Sequence, residues 1–221
     1  MKIKQCAVLL ILFSLATILP AAAETEIIIN GSTTVLPVMH KVGEAFMDDN
    51  PDITLSISGG GSGNGIKALN EGLCQVAMSS RDIRDSEKEL GMSNNVHAVR
   101  TAVALDALVP VVHPQNKVNN LSVAQLKDIY AGKIRNWKEV GGSDHKIVVI
   151  SRDTSSGTFE TWEEIIMKKE KVFPGALLQT SNGAVVQAVS RNTRAIGYVG
   201  FGYLTDALKK LDVENIEATL H

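Results

Sequence analysis

Three stretches of this sequence place small residues, hydroxyls and backbone N–H groups where a strand gives way to a helix. They are Gly31-Ser32-Thr33-Thr34, Ser58 to Gly65, and Arg152 to Thr158. The first N–H groups of a helix lack internal partners and carry partial positive charge. A helix start is therefore a natural anion site. Glycines let the backbone approach a ligand closely, and Ser and Thr hydroxyls both donate and accept. Arg152 adds a planar fork of donors that fits phosphate geometry. The chemistry indicated is non-covalent capture of a small oxyanion. Each loop alone also reads as an ordinary helix cap or a flexible turn, and Arg152 alone as a surface ion pair with Asp153. Their joint occurrence in one chain is the informative pattern.

Other chemistries find little support. Ser62 is flanked by glycines, but Asn64 stands where a nucleophile elbow needs its last glycine. The glycine run has neither the dinucleotide spacing nor the Gly-Lys-Ser/Thr ending of a phosphate loop. His40, His97, His113, His145 and His221 are isolated, and the Asp48-Asp49 and Asp82/Asp85 carboxylates lack calcium-loop spacing. No catalytic residue, no metal and no cofactor is expected, so the chain reads as a binder rather than an enzyme. With 22 Lys+Arg against 24 Asp+Glu there is no basic excess, which argues against a nucleic-acid partner. A hydrophobic fraction of 44% and a charged fraction of 21% fit a folded chain.

The elements that must position these loops are legible from periodicity. Ile27–Ile29 reads as a strand, followed by a helix with Val35, Val38, Met39, Val42, Ala45 and Phe46 at helical spacing and Pro37 in its first turn. Ile53, Leu55 and Ile57 alternate as in a strand, and a helix with Ile66 and Leu69 follows the glycine run. Val76–Met78 reads as a buried strand. Val103–Val112 is a long apolar stretch that suggests a strand crossing between lobes. Ser122 and Gln125 have capping-box spacing at the head of a helix that Gly132 can end. Ile147–Ile150 and Ala195–Val199 read as strands, and helices follow Ser155-Ser156-Gly157-Thr158 and Ser181-Asn182-Gly183. Trp137 and Trp162 read as core anchors. Alternating strands and helices give an α/β class with mostly parallel sheet, in which ligands bind at the carboxyl ends of strands.

The N-terminus reads as an address. Lys2 and Lys4 precede an uncharged run from Cys6 to Leu19, then Pro20 and Ala21-Ala22-Ala23. This pattern predicts a cleaved signal peptide over residues 1–23 and a soluble exported product. Cys6 lies before the end of the apolar run, where a lipid-attachment cysteine would not be. Cys74 is then the single remaining thiol, and one thiol cannot close an internal disulfide.

From Ile27 to about Leu204 the sequence resembles the phosphate-binding subunits of high-affinity phosphate ABC transporters, which are periplasmic solute-binding proteins. The carriers are GSTTVLPV (Gly31–Val38), SGGGSGNGIKAL (Ser58–Leu69), AMSSRDIRDSE (Ala77–Glu87), LSVAQLKDIYAGKIRNWKEVGG (Leu121–Gly142), SRDTSSGTFE (Ser151–Glu160) and AIGYVGFGYL (Ala195–Leu204). The resemblance implies two α/β lobes joined by a strand hinge and closing on a dehydrated inorganic phosphate. It also implies a membrane ABC permease as partner, a periplasmic location and a monomer. Matched by position, it implies phosphate contacts from Ser32, Thr33 and Thr34, from Ser62 with Gly63, and from Arg152, Ser156, Gly157 and Thr158. The expected division is lobe 1 over 24–104, lobe 2 over 105–198 and a return to lobe 1 over 199–221, with crossings near Ala104–Leu108 and Tyr198–Gly202. Two departures matter. Ser80 stands where many members have an aspartate that accepts the phosphate's proton; its hydroxyl can contact phosphate as donor or acceptor, Asp82 or Asp153 can take over the acceptor's task, and Asp82 can instead pair with Arg81 or cap the next helix. The chain also stops at His221, shortly after the last shared motif, so the first lobe is expected to be incomplete. Binders of sulfate or molybdate, and a surface interaction protein on the same scaffold, are the alternatives.

Overall fold

A computed structural model describes residues 25–219. The expected signal peptide lies outside the described residues. The chain runs β1 (Thr25–Gly31), α1 (Leu36–Asp49), β2 (Ile53–Gly59), α2 (Ser62–Asn70), β3 (Val76–Met78) and α3 (Asp85–Ser93). It continues through β4 (Leu108–Val112), β5 (Asn120–Leu121), α4 (Val123–Tyr130), β6 (Val148–Arg152), α5 (Gly157–Ile165), β7 (Leu177–Gln179) and α6 (Asn182–Ser190). It closes with β8 (Ala195–Gly200), β9 (Lys209–Lys210) and β10 (Asp212–Val213).

Two sheets define two lobes. The first is parallel, in the order β2-β1-β3, with Ile29 beside both Ile57 and Val76. The second is mixed, in the order β7-β6-β8-β4-β9. Strand β6 runs parallel to β7 and β8, whereas β4 is antiparallel to β8 and β9. The core is unequally shared. Leu121, Leu126, Ile129, Tyr130, Trp137, Trp162 and Ile196 form one buried cluster of the second lobe, and Val109, Val111, Ile150, Val185 and Val199 belong to another. In the first lobe the buried apolar side chains are Ile29, Ile66, Cys74 and Met78.

Local rules account for the helix starts. Pro37 sits in the first turn of α1, where its missing N–H removes no helical bond. Ser122 accepts from Gln125 N at 3.0 Å while the Gln125 side chain accepts from Ser122 N at 2.9 Å, which completes the expected capping box.

Two expectations need correction. Only Leu108–Val112 of the long apolar stretch is strand; Val103 and Leu105 are exposed in an irregular segment over 96–107. Apolar composition does not say which residues find a pairing partner. The second concerns the return of 199–221 to lobe 1. Tyr203 does reach the first lobe, its hydroxyl donating to Thr33 O. The chain then turns back: β9 pairs with β4 and β10 with β5, so these strands serve the second lobe. Their partners lie nearer than any edge of the first sheet, whose described strands are β1, β2 and β3.

Candidate anion site between the lobes

All three loops identified by composition end at the seam between the lobes. The glycine run opens α2, with Gly61 ahead of it at φ +97°. A Cβ at Gly61 would lie 2.7 Å from the Ser155 carbonyl, so this position requires glycine both for its backbone and for the close approach of the second lobe. Ser62 Oγ lies 3.3 Å from Ser80 Oγ and accepts from Ser80 N at 3.1 Å. Gly157, the first residue of α5, faces this pair: a Cβ there would stand 2.4 Å from Ser62 Oγ and 2.7 Å from Ser80 Oγ. Thr34 Oγ1 meets Thr158 Oγ1 at 2.8 Å across the seam. Ser32 and Thr33 are buried beside them, and Ser32 Oγ accepts from Thr34 N at 3.2 Å. Ser156 caps α5 by accepting from Phe159 N at 3.2 Å, which leaves its hydroxyl hydrogen free to donate. Gly63 differs from the others. Its N–H goes to Ser155 O at 3.0 Å and so joins the lobes rather than facing an anion.

Arg152 ends β6 and is 1% exposed. Its Nε donates to Gln179 O and its Nη2 to Thr180 O, both at 3.1 Å. Nη1 is buried and has no hydrogen-bond partner. The surface pairing with Asp153 is not what this residue does, because the Asp153 carboxylate accepts from Ser155 N and Oγ. Burial pulls the guanidinium below the ordinary arginine range, opposed by the negative field of Asp153. Behind it, Tyr198 stacks on Trp162 with ring centroids 4.3 Å apart, and its hydroxyl accepts from Arg152 N at 3.2 Å. Burial pushes that phenol up to about 12, so it stays neutral.

Several further residues meet at the seam that the sequence marks only as members of loops, motifs or helix starts, without a role of their own. Ser155 joins the lobes through its carbonyl. Asn182 is fully buried and donates to Thr33 and Thr34. Glu160 of α5 reaches Arg81 Nε and Arg84 Nη2, each at 2.6 Å. Arg81 also pairs with Glu87 at 2.7 Å. Burial pushes the Glu87 carboxyl up, but hydrogen bonds from Arg81 and from Arg84 N, with both positive charges, outweigh it and hold it below the ordinary range. Asp82 pairs with Arg100 at 2.7 Å. Asp106 accepts from Phe201 N at 3.0 Å, and partial burial pushes its carboxyl up. Among the described residues no cluster of His, Cys, Asp and Glu has metal-site geometry, and no helix is long and apolar enough to cross a membrane.

Comparison with known proteins matches this arrangement. A family model described as a PBP superfamily domain covers residues 19–218. Phosphate-binding protein PstS of Bacillus subtilis is 35% identical over 184 residues, 83% of this chain and 60% of that protein. PstS of Borreliella burgdorferi is 32% identical over 225 residues, 96% of this chain and 78% of that protein. The chain thus spans only part of the length of these relatives. Among solved structures, a phosphate ABC transporter substrate-binding protein with bound phosphate from Clostridium perfringens is 38% identical. It superposes with a TM-score of 0.82 over 88% of this chain and 78% of that one. An ABC-type phosphate transport receptor from Vibrio cholerae is 35% identical, with a TM-score of 0.66 over 87% of this chain and 78% of that one. A buried arginine, hydroxyl-rich helix starts on two lobes and these likenesses agree: the chain belongs to the PstS phosphate-binding proteins of the PBP superfamily.

Proposed function

We propose that this protein captures inorganic phosphate between its two lobes and delivers it to a membrane ABC permease, as an exported, periplasmic, monomeric solute-binding protein without a nucleic-acid partner. The observation that carries this reading is Arg152 Nη1, a charged donor that is buried without a partner. An unsatisfied buried charged group is costly. An oxyanion beside it would satisfy the donor and balance the charge. Charge-assisted hydrogen bonds contribute roughly 1.5–3 kcal/mol each. Hydroxyls of Ser32, Thr33, Thr34, Ser62, Ser80, Ser156 and Thr158, with the helix starts at Ser62 and Gly157, supply further donors. Gly63 is proposed to serve closure. The names of the relatives, and the phosphate in the Clostridium perfringens structure, support phosphate as the anion. The family is one of binding proteins rather than enzymes, and no covalent step is needed.

The site draws on both lobes, so all its contacts exist only when they meet, and phosphate is expected to favour that closed form. Calorimetric titration with phosphate, sulfate and molybdate tests the reading, with solution scattering as a second measurement. Phosphate should bind most tightly and reduce the radius of gyration. No heat with any of the three anions would remove the proposal, and tighter binding of sulfate would replace the ligand.

A further inference from the structure

Ser181 caps α6 by accepting from Ala184 N at 3.0 Å, which makes Asn182 the first residue of that helix. The Asn182 side chain is fully buried, and its carboxamide is engaged at both ends. Oδ1 accepts from Gly200 N at 3.2 Å, a backbone donor that fixes which end of the amide is oxygen. Nδ2 therefore faces the first lobe. It donates to Thr33 Oγ1 at 3.1 Å and to Thr34 Oγ1 at 3.0 Å. The Asn182 backbone N–H adds a longer donation to Thr33 Oγ1 at 3.4 Å.

A hydroxyl has one hydrogen and two lone pairs. Both lone pairs of Thr33 Oγ1 receive N–H groups of Asn182, so its hydrogen can only point to an acceptor elsewhere. Thr34 Oγ1 receives one N–H and shares a hydrogen bond with Thr158 Oγ1. That pair owns two hydrogens, and only one lies between the oxygens. Whichever oxygen donates, the other hydrogen is left for a third group.

We propose that Asn182 is a positioning residue that sets the hydrogen-bond polarity of the site. By filling both lone pairs of Thr33 Oγ1 and one of Thr34 Oγ1 it makes the Thr33 hydroxyl, and one hydroxyl of the Thr34–Thr158 pair, donors to an anion. The inference rests on the phosphate-binding reading above and adds to it the residue that makes the threonines selective for acceptors. Asn182 belongs to the second lobe and the threonines to the first. The polarity is therefore imposed only when the lobes meet, which makes closure and anion recognition one event.

The test is a set of phosphate titrations on wild type, Asn182→Ala, Asn182→Asp, Thr33→Val and the Asn182→Ala/Thr33→Val double variant, with circular dichroism to check folding. Asn182→Asp keeps the shape but replaces the donors by an acceptor, and should weaken phosphate binding about a hundredfold. Asn182→Ala should weaken it about tenfold, and by at least about threefold less in the Thr33→Val background, because residues that act through one another are not additive. A merely structural role would lower stability and leave the two losses additive. Should Asn182→Asp not fold, Asn182→Ala and the double variant carry the comparison. Wild-type-like affinity in Asn182→Ala, or full additivity with Thr33→Val, overturns the inference while the phosphate reading stands. A wild type that does not bind phosphate overturns that reading first, and this inference with it.

Discussion

The second lobe buries two apolar clusters behind a five-stranded sheet, whereas the first has three strands and buries Ile29, Ile66, Cys74 and Met78. Helix α1 even turns Val38, Val42 and Phe46 partly to solvent. Yet this thinner lobe supplies Ser32, Thr33, Thr34, Ser62 and Ser80. The loops that carry these residues are tied within the lobe, by Ser32 N to Met78 O and Gly60 N to Gly31 O, and also across the seam, by Ser155, Glu160, Asn182 and Tyr203. Where the core beneath a loop is thin, the opposite lobe can help to fix its hydroxyls.

The largest expected effect tests the inequality itself. Trp162→Ala should destabilise the second lobe by about 3–5 kcal/mol, since the ring is buried between Tyr130 and Tyr198. Val42→Ala on the outer side of α1 should stay within about 0.5 kcal/mol. Urea melts followed by circular dichroism measure both, and comparable losses would erase the contrast.

Next in size is Arg152. Arg152→Ala should weaken phosphate binding at least about tenfold, or about 1.4 kcal/mol. Arg152→Lys should also lose affinity, because a point charge cannot replace a planar fork held by Gln179 O and Thr180 O. Arg191, exposed at the end of α6, should do little when changed to Ala. Equal affinities for wild type and Arg152→Ala would take this residue out of the site.

The charge clasp sharpens the comparison from the side of the weaker lobe. Glu87 has a carboxyl held below its usual range, so the folded form binds its proton less readily than the unfolded chain. The resulting stability is present above the ordinary glutamate range and is lost as pH falls through the depressed value. Hydrogen-exchange protection factors in α2 and α3, taken against the intrinsic rate at each pH, should fall on acidification, and Glu87→Gln should flatten that dependence. An unchanged pH dependence in the variant would assign it to another group.

The smallest effect concerns discrimination. Asp82 is exposed and turned to Arg100, and Asp153 Oδ1 is taken up by Ser155, so neither carboxylate is expected to stand in fully for an aspartate at position 80. Phosphate should still be preferred, with sulfate competing modestly, and Ser80→Asp should sharpen the preference. Competition titrations decide this. Sulfate ignored at large excess by wild type, but not by Asp106→Asn, would place the proton acceptor at Asp106 instead.

Much of this arrangement is legible in the sequence where periodicity or capping chemistry is strong. The strand at Ile53, Leu55 and Ile57, the Ser122–Gln125 box and the Gly157 helix start all stand where spacing puts them. Strands β9 and β10 have two residues each, too few for any period to register. Asn182 and Glu160 escape notice for another reason. A single amide or carboxylate on a helix has no motif, and its role comes from the opposing lobe that packing brings to it. Leu105 errs the other way: its apolar neighbourhood reads as strand, and it lies open to solvent in an irregular segment.

The pairing of β9 with β4 sets a timetable for folding. A chain released N-terminus first has every described strand of the first sheet once Met78 has emerged. The five-stranded sheet must wait for Lys209 to reach Val112, and the separate β5–β10 pair for Val213 to reach Leu121. Closing so long a loop is slow, and contacts of high sequence separation form late. Until then Val111 and Val112 lie on an open strand edge, the kind that recruits other chains. Strand β9 therefore covers the β4 edge, and a delay in its arrival leaves open an edge of the better-packed lobe rather than of the thinner one.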